Sequence, residues 1–473
     1  MTRPLEDDSE FVSALLVESD SGQGRTDVLA IPILTLILIF ALWASYKLIT
    51  APSFSYLLYT YSTPPLIPSL ISISAVLLIS ASLPRSFSRT SQVVYCIIFI
   101  VVIVPFSIVP QLLLGGILAS LGQNQLLLAQ ISVDLSFVMI GGIIRLPPPR
   151  LRRFHVSPQA FWAVIVLLMA ALYVVLLGAT GLSLHLVKLN DVYGTRSQFK
   201  SAISSSSLAG YAAGWLSTVL NPLLMAFGMR ARRWIPMAAG LSGQLLIYSL
   251  SGQKSVFFSA AVVVLISWLL HPKRIGHSAR NLIGGITALI AMCYLLDRIF
   301  AGYFWNSIFV RRFLVTPAFL TGAYFDFFSK NPKVHWSTSI LQGVVGSPYG
   351  LDTGSVVGRY LYPLGADNAN VNLFGDAFAN FGLLGLIPFS AILAVILLLI
   401  DGATRDRDLR LPSMVMGLAA VTLTQSALLT SFLTFGILLT LVVFLFLPPD
   451  EELGLGAGSR GLGKGPDRLT MRG

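Results

Sequence analysis

Charged residues are scarce in this chain. Of its 473 residues only 11% are charged, 55% are hydrophobic, and the mean hydropathy is +0.78. A chain with so few polar side chains cannot cover the surface of a water-soluble globule of this size. The composition therefore excludes an ordinary soluble enzyme and predicts an integral membrane protein.

Cysteine is nearly absent as well. The two cysteines, Cys96 and Cys293, both lie inside apolar runs, where a thiol packs as a small hydrophobic group. This usage excludes a disulfide framework and a cysteine-based metal site. The sequence also lacks an internal repeat of the kind that marks the two halves of a duplicated transporter.

Long apolar runs are what the chain has in abundance. Runs of about 17–25 residues are long enough to cross the hydrocarbon layer of a membrane as helices. The sequence thus predicts an all-α, polytopic membrane protein with about twelve transmembrane helices in a single domain, residues 28–447. The predicted helices are 28–49, 66–83, 93–113, 126–144, 159–182, 211–228, 234–250, 255–271, 281–300, 376–400, 412–430 and 432–447.

The net charge of +11 comes mainly from short basic clusters at every second connection between predicted helices. Such a pattern indicates cytoplasmic loops, so it gives no reason to expect a nucleic-acid partner. We therefore expect both termini in the cytoplasm, with residues 1–27 a disordered acidic segment and residues 448–473 a flexible tail. The clusters are Arg85 and Arg89; Arg145, Arg150, Arg152 and Arg153; Arg230, Arg232 and Arg233; Lys273, Arg274 and Arg280; Arg405, Arg407 and Arg410.

Two larger external loops remain, at about 183–210 and 301–375, and the second holds most of the polar residues. Positive charge on the outer face opposes the topological bias, which makes the adjacent pair Arg311 and Arg312 a candidate phosphate site. Lys254, in a turn between two short helices, is a second candidate contact or a lysine that reaches the membrane surface. Arg196, in the first external loop, could approach the same site from another side.

The candidate catalytic residues also lie in the second loop. His335 is its only histidine, and imidazole changes charge near neutral pH, which suits a general base; an exposed surface residue is the alternative. The rival bases are Asp326, Asp352, Asp367 and Asp376. Amide and carboxyl side chains that suit sugar hydroxyls follow at Asn368, Asn370, Asn372 and Asp376.

At these residues the sequence resembles the O-antigen and oligosaccharide repeat-unit polymerases. The similarity covers about residues 190–400, and the turn Ser251-Gly252-Gln253-Lys254 supports it. It rests on Arg311-Arg312-Phe313, Thr316-Pro317-Ala318, Tyr324-Phe325-Asp326-Phe327-Phe328, Asn368-Ala369-Asn370 and Phe381-Gly382-Leu383-Leu384-Gly385.

The resemblance implies a lipid-donor, GT-C-like glycosyltransferase of the bacterial cytoplasmic membrane. Such an enzyme transfers a growing glycan from undecaprenyl diphosphate to a lipid-linked repeat unit on the outer face. It implies that Arg196, Arg311 and Arg312 hold the diphosphate. We also expect Lys254 and Tyr324 to contact the substrate. The resemblance also implies membrane lipids, a repeat-unit flippase and a chain-length regulator as partners.

The resemblance implies that no cofactor or metal is needed, and the lack of a DxD-type motif in the outer loops agrees with this. Arginines would then have to neutralise the leaving diphosphate. Two alternatives stay open: an O-antigen ligase with the same lipid donor, and a transporter of glycans or ions. A transporter should carry ionisable groups deep in several helices, and here Asp134 is nearly alone.

Overall fold

The computed structural model describes residues 29–181, 198–203, 206–339, 344–363 and 368–455. These residues form helices joined by turns, and none of them forms a β-strand. The principal helices are α1 Leu29–Ser53, α2 Leu66–Ala81, α3 Thr90–Leu112, α4 Gln123–Ile144, α5 Pro158–Thr180, α6 Ser207–Ala231, α7 Trp234–Ser251, α8 Lys254–Leu269, α9 Ser278–Ile299, α10 Asn306–Lys330, α11 Thr353–Leu361, α12 Leu373–Ala403, α13 Arg410–Leu423, α14 Leu428–Leu433 and α15 Ile437–Phe446.

The length and composition of these helices confirm a polytopic membrane protein. Within the described residues, nine helical segments are long and apolar enough to cross a membrane, and three shorter apolar helices accompany them. Every helix predicted from the sequence overlaps an observed one. The segment 301–375, predicted as an external loop, differs, because it contains α10 and α11.

Four of the long helices contain a stretch of π-helix that ends two residues before a proline. A proline lacks the N–H for a regular helical hydrogen bond, and its ring crowds the carbonyl four residues earlier. Widening the turn relieves that crowding without ending the helix. The π-helical stretches are Tyr46–Thr50, Phe99–Ile103, Leu216–Leu220 and Asn306–Val315, followed by Pro52, Pro105, Pro222 and Pro317.

The basic clusters come together at one end of the helical bundle, which we call the basic end. The Arg89 guanidinium donates to the carbonyl of Leu146 at 2.7 Å, and the Arg153 guanidinium donates to the carbonyl of Arg405 at 2.8 Å. Arg230 forms an ion pair of 2.6 Å with Asp408. The C-terminal end of the described chain also lies there, since Arg407 donates to the carbonyl of Pro448.

Helix α10 contacts the opposite end of the bundle. At its start, Asn306 accepts a hydrogen bond of 2.9 Å from Thr50, near the end of α1. Near its other end, Asp326 accepts a bond of 2.6 Å from Ser120, in the connection between α3 and α4. The connections after α1 and α3 are themselves joined, because Ser62 N–H donates to Leu112 at 2.8 Å. Both ends of α10 therefore contact the same end of the bundle.

Candidate functional site

A cavity of about 450 Å³ lies beside α10, near the end of the bundle that this helix contacts. Its walls come from α6, the turn between α7 and α8, α10, residues 368–370 and α13. The polar side chains in its lining are Lys200, Ser217, Thr218, Ser251, Gln253, Lys254, Ser255, Ser259, Arg312, Thr316, Asn368, Asn370, Thr422, Gln425 and Ser426; the apolar ones include Phe199, Ile203, Phe313, Leu320, Leu418 and Val421.

The charge of this cavity is entirely positive. Lys200, Lys254 and Arg312 come from three separate parts of the chain, and no described residue in the lining is acidic. Three cations around one space favour an anion, because their positive potentials add. The arrangement suits a phosphate or diphosphate group.

Lys254 enters the cavity from the start of α8. Helix α7 ends at Gly252, whose φ of 60° lets the chain turn sharply, and α8 begins at Lys254 two residues later. Ser255 and Val256, in the first turn of α8, also line the cavity. The positive N-terminal end of the helix dipole thus adds to the charge of Lys254.

Arg312 and Arg311 belong to the π-helical start of α10, yet they face different surroundings. Arg312 is exposed and lines the cavity. Arg311 is half-buried, its guanidinium lies 4.3 Å from the ring centre of Phe54 and 5.9 Å from that of Tyr59, and it donates to Ser307 at 3.1 Å. Of the predicted pair, only Arg312 lines the cavity, whereas the contacts of Arg311 attach α10 to the segment after α1.

Two of the predicted asparagines also line the cavity. In residues 368–371, Asn368 and Asn370 are exposed and alternate with buried Ala369 and Val371. Ala369 holds this segment in place, because its N–H donates to Gly354 at 2.9 Å and its carbonyl accepts from Tyr324 at 2.9 Å. Tyr324, predicted as a substrate contact, is buried and acts through this segment.

Asn372 and Asp376 serve the structure of α12. Asn372 caps the helix, since its side-chain oxygen accepts from the N–H groups of Phe374 and Gly375. Asp376 accepts from Asn380 at 2.9 Å and from the N–H of Leu428 at 3.2 Å. Neither residue is among those that line the cavity.

Asp326, predicted as a rival base, is fully buried, and both of its oxygens are engaged. One accepts from Ser120 at 2.6 Å and pairs with Lys330 at 3.2 Å, and the other accepts from Tyr360 at 2.6 Å. Burial and the hydrogen bond to Asp326 raise the pKa of Tyr360 to about 12, so this phenol stays protonated and can donate. The geometry favours a structural role for Asp326 over the predicted catalytic one.

His335 is exposed but lies outside the lining of the cavity. Its ring packs 5.5 Å from that of Phe381, where the backbone of α12 leaves the helical conformation. His335 and Trp336 both adopt positive φ, at 47° and 61°, which is a strained conformation for side chains of this size. Arg196, the remaining predicted contact, lies outside the described residues.

The structure adds cavity residues that were not selected from the sequence. Lys200 and Gln253 are polar residues of the predicted outer side. Gln425 instead belongs to a predicted membrane helix, which the largely polar segment Thr422 to Ser426 interrupts. The Nε2 atom of Gln425 is buried without a hydrogen-bond partner, so a donor in the cavity wall is left unsatisfied.

A scan of protein-family models, a search of curated proteins and a search of solved structures each found no match to this chain.

Proposed function

We propose that the protein is an oligosaccharide repeat-unit polymerase, a lipid-donor glycosyltransferase that elongates a glycan carried on undecaprenyl diphosphate. The observation that carries this proposal is the cavity between the helices, which brings three cations together with no described carboxylate in its lining. A donor of this kind has an anionic headgroup, a sugar and an apolar tail, and the cavity offers cations, amides and apolar walls to match.

The orientation belongs to the same proposal. The shared position of the basic clusters supports a cytoplasmic basic end, with twelve helices crossing the membrane and α10 lying across the outer side. The cavity then faces the side on which lipid-linked glycans are joined. In a GT-C-like arrangement of this kind, the headgroup is bound where the helices meet the membrane surface.

The reaction assigned to the cavity forms one C–O bond, breaks another and transfers one proton. A hydroxyl oxygen of the acceptor sugar attacks the anomeric carbon of the donor glycan, and the bond from that carbon to the diphosphate oxygen breaks. The electron pair stays on the leaving diphosphate, and the hydroxyl proton passes to a base or to the released phosphate. Lys200, Lys254 and Arg312 are placed to stabilise the charge that develops on the leaving group.

Elongation by the purified protein tests the proposal. Full-length protein in lipid nanodiscs should convert undecaprenyl-diphosphate-linked repeat units into longer chains without a nucleotide sugar and in the presence of EDTA. Transfer only to an acceptor that is not a repeat unit would identify a ligase. In closed proteoliposomes, movement of intact lipid-linked glycan between the two membrane faces, with no change in its length, would identify a transporter.

A further inference from the structure

Six aromatic rings lead from the wall of the cavity to the surface of the bundle between α8 and the start of α10. We call this series the aromatic track. Its residues are Phe313, Phe258, Phe257, Phe309, Trp305 and Phe304. The rings of Phe313, Phe257 and Phe309 each contact Phe258, and the series continues from Phe309 to Trp305 and from Trp305 to Phe304. The centroid distances lie between 5.3 and 6.4 Å.

The track begins beside the positive charge of the cavity. Phe313 lines the cavity and directly follows Arg312 in α10. Its ring packs against Phe258 of α8 at 6.1 Å, and Phe258 in turn contacts Phe257 and Phe309. A cation and an apolar ring thus stand side by side where one bound molecule would touch both.

The track ends on surface that is both apolar and exposed. Phe257 is 48% exposed and Phe304 is 50% exposed. Further along α8, Val264 and Leu265 also present apolar side chains outward. In a helix bundle that lies in a membrane, such surface faces lipid tails.

We propose that the aromatic track holds the first isoprene units of the lipid tail while the attached diphosphate lies against Arg312, Lys254 and Lys200. The assignment rests on the proposed function, because it takes its ligand class from the charge of the cavity. An amphipathic lipid needs an anion site and an apolar path that are continuous, and Arg312 and Phe313 provide that junction. Rigid rings lose little conformational freedom when they bind an apolar chain.

Photo-crosslinking to the wild-type protein tests the position of the tail without any substitution. A farnesyl diphosphate analogue with a benzophenone on its tail is irradiated with the full-length protein in nanodiscs. The label should map to peptides from α8 and from residues 304–313, and excess farnesyl diphosphate should suppress it. Suppressible labelling confined to other helices would overturn the proposal.

Binding of head and tail separately gives the second test. We expect farnesyl diphosphate to bind at least tenfold more tightly than inorganic diphosphate. Phe257→Ser and Phe258→Ser should reduce that advantage and leave the affinity for inorganic diphosphate unchanged. Phe40→Ser is the control, because Phe40 is an exposed phenylalanine of α1 outside the track, 63% exposed.

The two proposals fail in different ways. If both track variants keep the full difference in affinity between farnesyl diphosphate and inorganic diphosphate, the track does not hold the tail. Binding of inorganic diphosphate would still support the anion site in the cavity. If inorganic diphosphate does not bind to the wild-type protein, the anion site is wrong. The crosslinks then decide the track independently, because suppressible labelling of α8 and residues 304–313 still locates the tail there.

Discussion

At the scale of single residues, the two adjacent arginines of α10 illustrate how neighbours in sequence serve different purposes. A charge-assisted contact to a leaving diphosphate contributes about 2–4 kcal/mol to catalysis, and in the proposed reaction Arg312, which lines the cavity, makes this contact. Arg311 instead stacks on Phe54 and Tyr59, and cation–π contacts of this type contribute about 0.5–2 kcal/mol.

Substitution should separate the two roles. Arg312→Ala should lower turnover by roughly 10²–10³-fold at unchanged thermal stability, and Arg312→Lys should recover only part because lysine lacks the planar fork. Arg311→Ala should instead lower the unfolding temperature. Turnover and thermal unfolding of each purified variant check both statements, with Arg298→Ala as an exposed control at the same end of the bundle. Equal behaviour of the two alanine variants would contradict this division.

The sequence identified Arg312, Lys254, Asn368 and Asn370 because polar residues beside apolar runs are conspicuous. The sequence could not separate them from Asp326 or Asp376. Residue type alone does not distinguish a buried carboxylate with satisfied hydrogen bonds from a catalytic one. The role of His335 as a general base stays a prediction, and this residue is not part of the cavity lining.

At the scale of elements, the segment 368–371 depends on the absence of a side chain at Gly354. A methyl group there would overlap the Oδ1 atom of Asn368 and lie 2.8 Å from that of Asn370. Gly354→Ala should therefore displace both amides and weaken substrate binding.

We expect KM for the lipid-linked substrate to rise about tenfold in Gly354→Ala, while the helix content measured by circular dichroism stays the same. Gly346→Ala is the matched control, because nothing lies within 4 Å of the added methyl group and φ there is not positive. An unchanged KM in Gly354→Ala would show that Asn368 and Asn370 do not contact substrate.

Helix α10 is the longest helix that hydropathy did not predict. Among the candidate spans of the described residues it is one of the least apolar, and Arg311, Arg312 and Asp326 interrupt its apolar pattern. Those residues are accommodated by contacts to distant segments, such as Ser120 and Tyr59. Contacts of that kind do not appear in a local hydropathy pattern, so the helix was predicted as loop.

At the scale of the whole molecule, the account requires α10 to lie across one side of the membrane. Cysteines placed at Gly302 and Asn331, which flank α10 and are exposed, should then react with an impermeant thiol reagent from the same side. Ser88→Cys, at the basic end, should react only from the other side. The native Cys96 and Cys293 are buried and should stay silent. Labelling of Gly302→Cys and Asn331→Cys from opposite sides would show that α10 crosses the membrane.

The grouping of basic clusters at one end was predictable because membrane topology alternates along the chain. The cavity was not, since its walls combine α6, α8, α10 and α13 with residues 198–203 and 368–370. Only the packing of these segments shows that Lys200, Lys254 and Arg312 surround one space.

Equilibrium binding of undecaprenyl diphosphate to the full-length protein in nanodiscs tests the central claim most directly. Replacing Lys200, Lys254 and Arg312 together by glutamine removes the positive charge of the cavity, and each lost charge-assisted bond costs about 1.5–3 kcal/mol. We expect at least a hundredfold weaker binding, while the control with Arg298→Gln and Arg359→Gln binds as the wild type does. Equal affinity in all three proteins would show that the cavity does not bind the diphosphate.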